Sequence, residues 1–380
     1  MRSTFARIAT RARPTAPRGR GPLLDYGADP PDPVDPVDPA DSADAARAVP
    51  GRVGGVDVRL DEVPTAIGVV HGADLGAQLG LVEAAMRSAV TDVDETIARS
   101  FDYVLARDRS RLRARLVLLS AAAVGAGGAP PPAVITAAAA VELLHLAQRH
   151  HDTRHHDVRQ VGEADVLVGD HLLARSLQLA LAVDAATGEA VGRCVVARVR
   201  GQLLDDRDRY CVDRLVPAYV ETCRARTALL TAVAAALGAR LAGGSGEQVA
   251  ALRRYGEQLG LALQVTDDLR DVVTDAADTG NDLRTGVYTL PTLAALREAG
   301  ELRAVLGRPL DRPAHAHATQ VVRRSGGVAV ALSQIHRHVT EALAHLDGLP
   351  RAAGLDELAQ GVGHRAWQVV ADQPVVNLPC

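Results

Sequence analysis

The stretch Leu261–Pro291, LALQVTDDLRDVVTDAADTGNDLRTGVYTLP, decides how this chain is read. Wound as an α-helix, it sets Asp267, Asp268 and Asp271 at i, i+1 and i+4, with Asp267 and Asp271 one turn apart on one face. Three like charges so close repel each other unless a hard divalent cation sits between them. Mg²⁺ suits that place, since it prefers oxygen ligands and commonly joins one or two carboxylates to substrate phosphates. The other reading of the same residues is a solvated acidic helix face.

Outward from this segment the helical pattern continues. Apolar residues recur at three and four spacing in Leu75, Leu79, Val82 and Met86, and again in Val141, Leu144 and Ala147. Breaks are expected at GAGGAPPP (125–132), TGEAVG (187–192), GGSG (243–246), DTGNDLRTG (278–286), the Arg-Pro pair at 308–309 and RSGG (324–327). Period-two alternation is confined to VDVRL at 56–60. These features predict an all-α fold, one helical domain over residues 75–370.

Composition agrees. The 380 residues are 47% hydrophobic and 23% charged, a globular balance, yet they include only 2 Phe, 1 Trp and 6 Tyr. A core must therefore be built from Leu, Val and Ala, which favours packed helices over a β-sandwich. A formal charge of −4 argues against general nucleic-acid binding. All 42 basic residues are Arg, so a phosphate gripped by a side chain must be held by Arg or His. Cys194, Cys211, Cys223 and Cys380 lack CxxC spacing, so neither a disulfide scaffold nor a zinc site is indicated, and a cytoplasmic location is expected. No run of eighteen apolar residues is uninterrupted, and no membrane span is expected. Residues 1–55, Arg-rich and then PPDPVDPVDPADSAD, read as a disordered tail outside the fold.

Several landmarks in order resemble the polyprenyl synthetase family, the trans-isoprenyl diphosphate synthases. GLALQVTDDLRDV is similar to its second aspartate-rich motif, and DLRTGVYTLP to the stretch that follows. YVETCRART (219–227) resembles the helix ending in a Lys-Thr pair, with Arg226 in place of Lys. Gly169-Asp170, Gly201-Gln202 and SGGVAVALSQIHRHVTEALAHL match further landmarks, so the likeness covers about 75–367. It implies an antiparallel helical bundle around a central cavity, with aspartate-rich helices facing each other across its mouth. The implied function is a Mg²⁺-dependent prenyltransferase that condenses an allylic prenyl diphosphate with isopentenyl diphosphate into an all-trans product. Implied roles are metal binding for Asp267, Asp268 and Asp271, catalysis for Arg226, Thr227 and Gln264, and a homodimer.

The first aspartate-rich region departs from that pattern. Glu142, Leu143, Leu144 and His145 keep the expected opening, but AQRHHDTRHHD follows: Asp152 holds the first acidic place, Thr153 the second and His156 the third. Imidazole favours other metals than Mg²⁺, so Asp152 and His156 imply a weaker Mg²⁺ site, or one for Mn²⁺ or another divalent ion. A His-rich surface helix and a dedicated transition-metal site are the other readings of His150, His151, Asp152, His155, His156 and Asp157. The loop after His156 is short and lacks the family's Arg-Arg-Gly segment, leaving Arg154 and Arg159 as substitutes. In RSRLRARLVLLS, Arg111 and Arg113 match basic substrate-binding positions, while Ser110 stands at a Lys and Ala114 at a Pro. His145 reads either as substrate-binding or as a hydrogen-bonded core histidine. Leu144, Ala147 and Gln148 occupy the positions that set product length, with no aromatic plug. The departures keep two alternatives in view: a weak or inactive homologue serving as partner subunit in a heteromer, and a terpene cyclase-like enzyme.

Overall fold

The computed structural model describes residues 75–90, 95–108, 110–125, 128–156, 163–274 and 281–371. The tail reading for 1–55 lies outside them. No strand occurs among the described residues. The helices are α1 (Leu75–Val90), α2 (Glu95–Arg107), α3 (Leu112–Val124), α4 (Pro132–His156), α5 (Glu163–Val183), α6 (Ala185–Arg207) and α7 (Val216–Cys223). A π-turn, Arg224–Ala228, leads into α8 (Leu229–Leu241) and α9 (Gly246–Val273). Then come α10 (Asn281–Thr285), α11 (Leu290–Glu298), α12 (Gly300–Val305), α13 (Arg312–Arg324), α14 (Gly327–Ala344) and α15 (Ala353–Ala371).

Local chemistry sets the ends. Pro132 opens α4, where a missing N–H costs nothing. Ser245 and Gln248 form a reciprocal capping box at the start of α9, just after Gly243 has taken the left-handed conformation (φ 82) that ends α8. The break expected at 187–192 is not there. Helix α6 begins earlier because the Asp184 side chain accepts from the Thr187 amide (2.6 Å), and TGEAVG winds as its first turns. Gly188 is small for packing, not for turning: a Cβ there would meet Leu181 Cδ2 at 2.4 Å.

Small residues let the central helices approach closely. A Cβ on Gly238 of α8 would lie 2.1 Å from the Val117 carbonyl oxygen of α3, and one on Gly256 of α9 would lie 2.4 Å from that of Thr231. The core is accordingly Leu, Val and Ala, with Tyr219, Tyr255, Tyr288 and Phe101 as its few large rings. Helix α9 packs against α8, α14 and α15, α3 against α8, and α4 against α5. The stretch Val166–Val183 of α5 is, by length and composition alone, apolar enough to cross a membrane, although Asp170, His171 and Arg175 interrupt it. Leu167 and Leu181 of α5 and Val196, Val199 and Leu203 of α6 are exposed.

Candidate functional site

Helix α9 enters the bundle with Leu252, Tyr255, Leu259 and Leu263 buried, so the register of its apolar face fixes where its last turns point. Gln264, Asp267, Asp268 and Asp271 follow at i, i+3, i+4 and i+7, a single stripe. Asp268 is 4% exposed and accepts from the Tyr219 hydroxyl and from Gln264 Nε2 (2.8 Å). Gln264 Oε1 in turn accepts from Thr227 Oγ1 (2.5 Å). The structure thus joins Thr227, Gln264 and Asp268, three of the expected site residues, into one hydrogen-bonded chain that ends on Tyr219.

The π-turn Arg224–Ala228 supplies Arg226 and Thr227 to this chain's surroundings; such wide turns commonly sit at functional positions. Gly201 makes room for it, since a Cβ there would meet Arg226 Cγ at 2.8 Å. Arg226 pairs with the buried Asp205, which also accepts from Arg214 Nη2 (2.7 Å). Arg214 reaches Thr222 Oγ1 (2.9 Å), so Arg226 is held by a braced carboxylate.

Asp271 accepts from the backbone amides of Asn281 (3.2 Å) and Asp282 (3.1 Å), which brings the start of α10 back to α9. Asp282 thereby joins the acidic group. Burial and then the charges of Asp271 and Asp268 push its pKa well above the usual carboxylate range. Burial and the Asp267 charge likewise hold Asp268 up at about 7, against the hydrogen bonds from Tyr219 and Gln264. Asp267 differs: it is open to solvent, yet protein surrounds it closely enough for burial to raise its pKa. The guanidinium groups that oppose that rise, Arg113, Arg365, Arg270 and Arg149, come from α3, α15, α9 and α4.

These acids suit a hard divalent cation, since every donor is an oxygen. Asp268 and Asp271 have protein partners, and among the described residues no three His, Cys, Asp or Glu side chains close on one point. The side chains of Asp152, Arg154 and His156, and all of Arg159, lie outside the described residues.

On the facing side, α3 begins at Arg111, whose backbone is left-handed (φ 47). Arg111 and Arg113, two residues apart, reach different partners. Arg111 donates to the Leu105 carbonyl (2.8 Å), stands 3.7 Å from Glu83, and lines a cleft of about 560 Å³ with Leu79, Arg87 and Asp102. Arg113 instead lies 3.1 Å from His145 Nε2. Buried Glu142 caps α3 by accepting from the Ala114 amide (2.8 Å). Burial raises its pKa although the Arg113 charge opposes this. His145 is a buried, hydrogen-bonded histidine, and its Nε2 also contacts Asp108 Oδ2 at 2.9 Å. Burial and then Arg113 push its pKa down to about 4, so at neutral pH its ring is uncharged. For Asp108, burial works to raise the pKa, but the bonds from His145 and Ser110 outweigh it and hold the group well below the usual range. Leu144, Ala147 and Gln148 are buried along α4.

Asp108, Asp282, Tyr219 and Asp205 lie outside the set of site residues that the sequence predicts. Asp282 stands within the quoted DLRTG stretch, but only the return of α10 to Asp271 gives it a role.

Comparison with known proteins adds independent findings. The family model described as polyprenyl synthetase matches residues 94–323. A nonaprenyl diphosphate synthase of Mycobacterium tuberculosis is 30% identical over 321 residues, covering 77% of this chain and 95% of its own. Heptaprenyl diphosphate synthase component 2 of Geobacillus stearothermophilus is 28% identical, covering 77% and 97%. Among solved structures, a polyprenyl synthase of Caulobacter crescentus complexed with calcium and isoprenyl diphosphate superposes with a TM-score of 0.70 at 28% identity, covering 76% of this chain and 94% of that one.

Proposed function

Because the chain belongs to the polyprenyl synthetase family, we propose that it is a prenyltransferase that condenses an allylic diphosphate with isopentenyl diphosphate to give an all-trans prenyl diphosphate. The observation that carries this reading is the hydrogen-bonded chain Thr227–Gln264–Asp268–Tyr219, with Asp271 tied to the start of α10 and exposed Asp267 on the same stripe of α9. In the proposed reaction the allylic C–O bond breaks and its electron pair leaves on the diphosphate. The double bond of isopentenyl diphosphate attacks the cation, and a proton is then lost. Asp267, Asp268, Asp271 and Asp282 would hold Mg²⁺, which when bound neutralises charge growing on the leaving group. This chain's own part is to fix those acids: Tyr219 and Gln264 orient Asp268, the α10 amides orient Asp271, and Arg226, braced by Asp205, lends positive charge beside them. Asp152 and His156 would face them across the cleft, with Arg154 and Arg159 gripping diphosphate.

The test is product analysis of purified protein with dimethylallyl, geranyl, farnesyl and geranylgeranyl diphosphates, each with and without isopentenyl diphosphate, in Mg²⁺, Mn²⁺ or Zn²⁺. Elongated products that need the co-substrate are expected. Hydrocarbons or alcohols formed without it would replace the reading by a terpene cyclase-like one. A second reading, a weakly active subunit working in an oligomer, has its own support in the apolar surface of α5 and α6, where Leu167 is 65% and Val196 70% exposed. We take that surface as the face of a homodimer. Silence with every substrate, restored by a second chain, would favour a heteromer instead.

A further inference from the structure

Arg214, in the link between α6 and α7, is a guanidinium almost wholly out of water, its side chain 2% exposed. Removing one member of a buried ion pair leaves the other uncompensated, so its contacts decide what Arg214 does. Its Nη2 donates to Asp205 Oδ1 (2.7 Å) on α6 and to Thr222 Oγ1 (2.9 Å) on α7. Its Nη1 donates to the Tyr288 carbonyl (3.3 Å), and its Nε stands 3.5 Å from Asp208 Oδ2. The other oxygen of Asp205, Oδ2, is held by Arg226 Nη1. One buried carboxylate is thus divided between two cations, one oxygen to each. A carboxylate left with a single guanidinium binds it with both oxygens, in the stronger forked arrangement. The stem of Arg226 is fixed against α6, since its Cγ lies 2.8 Å from where a Cβ on Gly201 would stand. The head is less confined: the side chain is 26% exposed, and its charge reaches Asp268 and Asp282, opposing the rise in pKa that burial gives each.

We propose, resting on the prenyl-transfer reading above, that Arg214 is a positioning residue. By claiming Asp205 Oδ1 it limits Asp205 to one bond with Arg226, and so keeps the Arg226 charge beside the acidic stripe of α9 instead of drawn fully onto α6. Arg214 acts through Asp205 and touches no substrate. Replacing it by a neutral residue therefore weakens the hold on diphosphate, and removing the charge of Asp205 as well restores it. A residue that merely filled the space between α6 and α7 would give no such recovery. Arg214 also lies over the Tyr219 ring, 5.8 Å from its centroid. A loss relayed that way to Asp268 would persist once Asp205 is neutral.

The experiment is calorimetric titration of the full chain with inorganic pyrophosphate in Mg²⁺, beside turnover of allylic diphosphates with isopentenyl diphosphate. Arg214→Met is expected to weaken pyrophosphate by about tenfold or more and to lower kcat/KM for the allylic substrate as much. Adding Asp205→Asn to it should bring both back to within about threefold of the unmodified protein, a non-additivity that only coupled residues show. Arg214→Gln, which still offers a donor to Thr222, should behave as Arg214→Met and carries the test if that variant does not fold. Arg214→Lys, which keeps a cation on Asp205, should lose far less than either. Unchanged binding in the Met and Gln variants overturns the proposal. So does a loss that Asp205→Asn fails to relieve, or one as large in Arg214→Lys as in Arg214→Gln. If the unmodified chain makes no product from any substrate pair, the prenyl-transfer reading has failed, while the titration still decides the place of Arg214. An unmodified chain that binds no pyrophosphate overturns the proposal too.

Discussion

Changing Tyr219 to Phe removes one hydroxyl and leaves the buried ring in place. That hydroxyl donates to Asp268, whose other side-chain donor is Gln264 at 2.8 Å. Losing a hydrogen bond to a buried ion costs about 1.5–3 kcal/mol, and losing one to a neutral partner about 1 kcal/mol. Asp268 can choose between these, because its pKa already stands at about 7. At pH 8, taking up a proton costs about 1.4 kcal/mol, so the neutral route totals about 2.4 kcal/mol and caps the loss. At pH 6 the carboxyl of the folded protein is already mostly protonated, and the loss falls to about 1 kcal/mol. The sign follows from linkage: the folded pKa lies above the unfolded one, so this acid destabilises the metal-free protein increasingly as pH rises towards 7, and Phe raises that pKa further. Urea unfolding of both proteins in EDTA at pH 6, 7 and 8 measures the difference. A loss that does not vary with pH refutes the claim that Asp268 is a titrating member of the chain, and no loss at any pH refutes the hydrogen bond.

Asp267→Ala should abolish turnover, by at least about a hundredfold, while leaving unfolding within about 0.5 kcal/mol, because the side chain is exposed and braces nothing; paired activity and urea measurements check both. Gly260→Val should cost more than about 3 kcal/mol, since even a Cβ would stand 2.2 Å from Thr231 Oγ1 and 2.6 Å from Ala228 Cα; a near-native melting temperature would contradict the close contact. Acid should destabilise the fold through His145 and His338, whose pKa values are lowered to about 4 and about 3, chiefly by burial. For both, the neutral ring is what the folded state keeps, so their contribution is whole above about pH 6.5 and is lost as pH falls towards those values, about 3 kcal/mol for His145 alone; His338→Gln should flatten part of the decline seen by thermal unfolding between pH 7 and 4.5.

The α9 stripe is legible in the sequence because spacing along a helix is geometry: Asp267 and Asp271 one turn apart, with Gln264 one turn before Asp268, need only the assumption of a helix. Resemblance alone points to Thr227, and in the fold its hydroxyl touches Gln264. Asp108 is not legible, since nothing in Asp-Arg-Ser marks a residue whose partner, His145, lies 37 positions away. Arg111 and Arg113 are equivalent as letters, but Arg111 precedes α3 with a left-handed backbone and Arg113 lies within the helix, so they reach different partners. The break expected at 187–192 fails for a related reason: glycine suggests a turn where it serves contact with Leu181. The side chains of Asp152 and His156, and their facing α9, stay expectations from the sequence.

The π-turn at Arg224–Ala228 amounts to one surplus residue in the winding of a continuous rod. Upstream of it Tyr219 is committed to Asp268, and downstream Ala228 and Thr231 are wedged against Gly260, so neither half is at liberty to rotate. Deleting a single position here would restore ideal winding and at the same stroke swing one half by roughly a hundred degrees out of its berth. The irregularity and the hydrogen-bonded chain it serves are for that reason one heritable unit, and a shortened segment in any descendant of this chain would mark the loss of both.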